Sequence, residues 1–78
     1  MSAGFVEYLA RQLVDEPDAV RVETAEAEDA VVFRLHVAPD DVGKVIGRQG
    51  RIARALRTVV RAAGGREHRR VLLEIAED

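Results

Sequence analysis

Val45-Ile46-Gly47-Arg48-Gln49-Gly50-Arg51-Ile52 is the stretch that decides how this 78-residue chain is read. Two glycines bracket two polar residues, with aliphatic residues on both sides. Glycine at each end lets the backbone turn sharply and lets another chain approach with no Cβ in the way. Before the turn, Val42, Val45 and Ile46 supply the apolar side of a short helix. After it, Ile52, Leu56, Val59, Val60 and Ala63 fall on one side of a second helix at about 100° per residue, running from near Gly50 to about Ala63. The second helix begins at the turn, so its unpaired N–H groups and positive dipole end face the loop. That arrangement suits a phosphate. Arg48 and Gln49 at the tip add charge and hydrogen bonds, while Val45, Ile46 and Ile52 offer bases an aliphatic surface.

Outward from the turn, the remaining elements follow from periodicity. Phe5, Leu9 and Leu13 recur at steps of four over residues 2–14, which is a helix face with Ser2 as its cap. Asp15-Glu16-Pro17-Asp18 ends it, because a residue preceding proline avoids helical angles. Val20, Val22 and Thr24 alternate with Arg21 and Glu23. Val31, Phe33, Leu35 and Val37 alternate with Val32, Arg34 and His36. Period two with β-branched residues predicts two half-buried strands, joined at Glu26-Ala27-Glu28-Asp29 as an antiparallel hairpin. Pro39-Asp40-Asp41 opens the short helix, with proline and acids suited to its first turn. Gly64-Gly65 stops the second helix with a left-handed cap. Residues 70–76 form a last strand on Val71, Leu73 and Ile75.

The order is α-β-β-α-α-β, and residues 1–78 read as one domain. The helix pair is a crossover, which makes the second and third strands parallel. A three-stranded mixed sheet with helices on one face is a two-layer α+β sandwich. The chain is short enough that its core is thin, and with no cysteine it contains no disulfide or thiolate metal site. It has no run of about 18 apolar residues to span a membrane and no signal-peptide pattern at Met1-Ser2-Ala3-Gly4, so a cytoplasmic location is expected.

The net charge is −2, yet charge is divided unevenly. Residues 1–41 carry ten acids against three arginines, whereas residues 42–70 carry nine bases against Glu67 alone. Such a split suggests one anion-facing surface. Arg51, Arg54, Arg57 and Arg61 share the polar side of the second helix. Arg51 and Arg54 lie near enough to the loop to touch nucleic acid, while Arg57 and Arg61 raise the local potential.

Competing chemistry finds little purchase. A Walker loop needs Lys and Ser or Thr after its last glycine, where this chain has Arg51-Ile52. Gly43, Gly47 and Gly50 have the wrong spacing for a dinucleotide fingerprint. His36 and His68 stand 32 positions apart with no ligand grouping, and both read as surface residues. Asp40-Asp41 reads as helix-start charge. No catalytic residue, metal or cofactor is expected. Phe5, Tyr8 and Phe33 read as core rather than as a stacking platform, which argues against RRM- or OB-type binding. A protein-interaction or dimerisation module that binds little or no RNA is the alternative.

Lys44-Val45-Ile46-Gly47-Arg48-Gln49-Gly50-Arg51-Ile52 resembles the signature of KH domains, and the element order resembles their type II form. Phe5-Val6-Glu7-Tyr8-Leu9, Leu13-Val14-Asp15, Asp41-Val42-Gly43-Lys44 and Ala55-Leu56-Arg57-Thr58 extend the likeness to the small stand-alone bacterial KH proteins of the KhpA (YlqC-like) family. The resemblance implies a clamp on about four nucleotides of single-stranded RNA. Its implied contacts are Lys44, Val45, Ile46, Gly47, Arg48, Gln49, Gly50, Arg51, Ile52 and Arg54. It also implies an RNA chaperone or regulator that works with a KhpB-like protein carrying its own KH domain. Self-association as a homodimer and a role in cell-wall synthesis and cell length follow from the same likeness.

Overall fold

Alternating apolar residues require a partner layer, and the computed structural model, which describes residues 3–64 and 70–77, shows how each is met. The elements are α1 (Ala3–Arg11), β1 (Arg21–Glu26), β2 (Ala30–His36), α2 (Val42–Ile46), α3 (Arg51–Ala63) and β3 (Arg70–Ile75). The α-β-β-α-α-β order and the α+β class are those the periodicity predicts. Ser2, Gly65 and His68 lie outside the described residues, and so do the readings made for them.

The sheet order is β1-β2-β3. β1 and β2 pair antiparallel, with Val22 opposite Leu35 and Thr24 opposite Phe33. The hairpin is closed by the Ala27 N–H on the Ala30 carbonyl at 2.8 Å. β2 and β3 run parallel, with Phe33 opposite Leu73, as the helical crossover requires. Val31, Phe33 and Leu35 of the central strand are buried together with Val71 and Leu73 of β3. Leu35 is fully buried, and burial of such a side chain stabilises by about 1.5–3 kcal/mol.

Helices cover this apolar face. α1 is centred on Val6 and Ala10, both buried, with Leu9 and Leu13 packed around them. The stripe is thus rotated one residue from the expected Phe5-Leu9-Leu13 line, and α1 ends at Arg11 rather than Val14. α3 buries Ala53, Leu56 and Val60. Val59 and Ala63, expected in the core, are exposed. α3 packs over β3, the edge strand, so a narrow stripe suffices.

Gly64 ends α3 for a different reason from the one expected. Its φ is −90°, not left-handed. A Cβ there would lie 2.7 Å from Val71 Cγ2, so glycine permits α3 to close onto β3. His36 also differs from a plain surface residue: its ring is mostly covered and hydrogen-bonds the Glu23 carboxylate across the hairpin. That bond is the chief reason Glu23 stays below the usual carboxylate range.

Candidate nucleic-acid interface

The loop between α2 and α3 is built from backbone conformations that glycine makes accessible. Gly47 has φ 75° and ψ 174°, and Gly50 has φ 74° and ψ 16°. Gln49 also adopts the left-handed region at φ 57°, which in a non-glycine residue costs about 1–2 kcal/mol. Arg48 is helical and Gln49 left-handed, a succession that turns consecutive N–H groups into an anion-binding concavity. The Gly50 N–H closes the turn on the Gly47 carbonyl at 3.1 Å. α3 starts immediately afterwards with Gly50 as its cap and no side chain bonded to its first amides. The Arg51 N–H bonds the Arg48 carbonyl, so α3 meets an external anion through its positive dipole end and not through that amide.

The side chains sort into two sets. Arg48, Gln49, Arg51 and Arg54 are exposed at the tip and the first turns of α3. Among the described residues, Arg48 and Arg51 have no ion-pair or hydrogen-bond partner. Arg54 donates from Nη2 to the Gln49 carbonyl at 3.0 Å, tying the helix to the strained loop residue. Ile46 and Ile52 are half-buried, and Ile52 packs beneath Gly47. Val45 is fully buried. Its side chain belongs to the core and supports the loop from behind, so the aliphatic surface expected from three residues reduces to Ile46 and Ile52.

Lys44 is placed beside the loop but is already engaged. Its Nζ lies 2.9 Å from Asp15 Oδ2 and 3.4 Å from Asp41 Oδ1. The hydrogen bond and charge of Asp15 hold its pKa above the ordinary lysine value. Asp41, read from sequence as a helix-start charge, is the buried polar residue among those described. Its carboxylate accepts the backbone N–H groups of Asp15 at 3.2 Å and Glu16 at 3.0 Å. Burial pushes its pKa up, but those two donors and Lys44 outweigh burial and leave it below the ordinary aspartate value. Asp41 thus fastens the segment after α1 to the start of α2. An acid three residues before a lysine was the only sequence signal for this anchor.

The opposite wall is β3. The Arg70 N–H bonds the Asp29 carbonyl and the Ala76 N–H bonds the Leu35 carbonyl, so even-numbered residues face β2. Val71, Leu73 and Ile75 direct their backbone groups to the open edge. Arg57, assigned only a field effect from sequence, reaches from α3 to donate its Nε–H to the Leu73 carbonyl at 3.1 Å. A basic helix flank thus lies beside an open strand edge, with the glycine loop at the start of that helix.

A family model described as KhpA/KhpB, KH domain matches residues 3–75. The chain belongs to the KhpA/KhpB KH-domain family. This KH domain is 56% identical over 72 residues to the RNA-binding protein KhpA of Aquifex aeolicus, covering 92% of this chain and 91% of that protein. It is 51% identical over 70 residues to the RNA-binding protein KhpA of Clostridium acetobutylicum, covering 90% and 93%. The RNA-binding protein KhpA of Treponema pallidum is 46% identical over 77 residues, covering 99% and 96%. No solved structure gives a significant match.

Proposed function

We propose that this chain is a single KH domain that binds single-stranded RNA in the groove closed by Gly47-Arg48-Gln49-Gly50. The observation that carries this reading is the exposed Arg48, which has no side-chain partner among the described residues, on a glycine-bounded loop at the start of α3. Phosphates bind at the loop and the amino end of α3. Bases lie over Ile46 and Ile52, with Arg51 and Arg54 adding charge. The relatives' description as RNA-binding proteins supports RNA as the ligand. Lys44, paired with two carboxylates, orders the approach to the loop more than it adds free charge.

Magnitudes bear on how it acts. Four nucleotides offer about two to four phosphates, with a salt slope of about −0.7 per contact for single strands. One such site binds weakly, whereas two linked sites raise avidity by roughly 10²–10⁴. The reading therefore includes a homodimer or a complex with a KhpB-like KH protein, acting in the cytoplasm as an RNA chaperone or regulator in cell-wall synthesis and cell-length control. Among the described residues, no helix is long and apolar enough to cross a membrane. The role is binding rather than catalysis.

The paired substitution Arg48→Asp with Gln49→Asp tests the reading. A circular dichroism spectrum like that of the wild type, with RNA binding lost, is the expected result. Unchanged RNA binding removes the loop from the mechanism. The alternative, a protein-interaction module, draws on an open apolar cleft between α1 and α3, lined by Leu9, Leu13 and Val59 and sharing Arg51 and Ile52 with the proposed RNA surface. It predicts a wild type that fails to bind RNA in the same titration.

A further inference from the structure

The strand order β1-β2-β3 leaves the outer edge of β1 unpaired. The Ala27 N–H bonds the Ala30 carbonyl, so Ala25 and Glu23, two and four residues back, also turn their backbone groups toward β2. Val22 and Thr24 therefore point theirs outward. Among the described residues, neither has a backbone bond on that side. Edge strands are commonly blunted by a proline, a lysine or a bulge. β1 has none of these: Arg21-Val22-Glu23-Thr24-Ala25-Glu26 pairs with β2 one residue to one, and all but Val22 are exposed. What guards the edge is negative charge. Residues 15–29 carry seven acids against Arg21 alone. Glu16, Asp18, Glu28 and Asp29 flank the two ends of the strand and are exposed, and among the described residues their carboxylates have no partner.

We propose that the β1 edge is a docking site for an extended segment of another protein, added as a fourth strand and rich in arginine or lysine. Main-chain bonds to Val22 and Thr24 supply the attachment, and alternate side chains supply the selection. Val22 and Thr24 stand opposite the buried Leu35 and Phe33, so their side chains lie on the helix-covered face. Incoming residues opposite them fall on that face and suit β-branched side chains. The residues in between fall on the bare face beside Glu23, where basic side chains fit. A second copy of the chain fits worse. Antiparallel pairing of β1 with itself brings Asp18 of one chain to the Glu28-Asp29 end of the other, acid against acid. RNA does not enter this site, because the arginine-bearing flank of α3 lies along β3, at the other edge of the sheet.

The test adds to the whole chain an acetylated, amidated nonapeptide that alternates valine with arginine, and follows titration and amide hydrogen exchange. The peptide should slow exchange of the Val22 and Thr24 amides, and its binding should weaken as salt rises. Methylating the valine amides, which face β1, should abolish binding. Methylating the arginine amides, which face away, should spare it. Thr24→Pro removes an outward N–H at an edge position where proline is tolerated. It should lose the peptide while leaving an RNA titration as in the wild type. The methylated peptides make the same test in unaltered protein. Absence of binding, binding that leaves the Val22 and Thr24 amides unprotected, or binding retained by Thr24→Pro overturns the proposal. Equal binding of a peptide with glutamate in place of arginine overturns it too. So does protection of those two amides that grows with protein concentration in the absence of peptide, which assigns the edge to a second copy.

Discussion

Gly47 lies directly over Ile52: a Cβ on residue 47 would stand 2.6 Å from Ile52 Cγ1. Gly47 also has φ 75°, so a side chain there meets both a clash and an unfavourable backbone. Gly47→Ala should lose about 1–3 kcal/mol from a positive-φ, extended-ψ backbone that is essentially open to glycine only, with a further loss from displacing Ile52. Chemical denaturation should show the destabilisation, and RNA titration should show weakened binding because the loop can no longer close.

Gln49 presents the converse case. Its φ of 57° is a strained conformation for glutamine, and glycine relieves that strain. The relief of about 1–2 kcal/mol exceeds the added unfolded-state entropy of about 0.5–1 kcal/mol. Gln49→Gly should therefore be neutral to about 1 kcal/mol more stable, raising Tm by a few degrees, while RNA binding falls because a tip side chain is lost. A lower Tm would show that the Gln49 side chain stabilises the loop.

Gly64 and Val71 form the close contact at the other end of α3. Gly64→Ala places a methyl group against a β-branched side chain with little freedom to turn. Overpacking of this kind costs typically 1–3 kcal/mol. Val71→Ala should cost stability alone yet partly rescue Gly64→Ala, so a double-mutant cycle should report coupling. Simple additivity would mean that α3 does not close on β3 through this pair.

Much of this was legible in the sequence, for identifiable reasons. β2 announces itself because Val31, Phe33 and Leu35 alternate with Val32, Arg34 and His36 over a sheet covered on one face. The parallel pairing of β2 with β3 follows from the crossover. The Gly47 and Gly50 conformations were readable because few residues other than glycine tolerate them. What escaped depends on packing between distant segments. Asp41 looks like helix-start charge until the amides of Asp15 and Glu16 are seen to converge on it. Val45 and Val59 carry the same periodic signal as core residues, but only the placement of each helix decides that Val45 is enclosed and Val59 open. The bond from Arg57 to the Leu73 carbonyl spans sixteen residues, and no local pattern encodes it.

The Asp41 anchor carries a pH signature. Its pKa is below the ordinary value of 3.8 in the folded protein, so the unfolded chain binds more protons as pH falls through that value. Its stabilisation is complete above the ordinary aspartate value and is lost as pH falls below it toward the folded pKa. Lys44, raised above 10.5, acts in the opposite sense, stabilising below its ordinary value and losing that contribution at higher pH. Asp41→Asn should unfold at lower Tm than the wild type near pH 7, and the gap should narrow below about pH 4. A constant gap across that range would assign the effect of Asp41 to packing alone.

The loop's hold on the RNA backbone is tested most directly by backbone amide chemical shifts, recorded as a short single-stranded RNA is added to the intact protein. The amides of residues 47–53 should shift first and furthest, with residues 71–75 following along the strand wall. Shifts confined to residues 9–13 and 55–59, with residues 47–53 unmoved, would place any RNA on the other side of α3 and contradict the account.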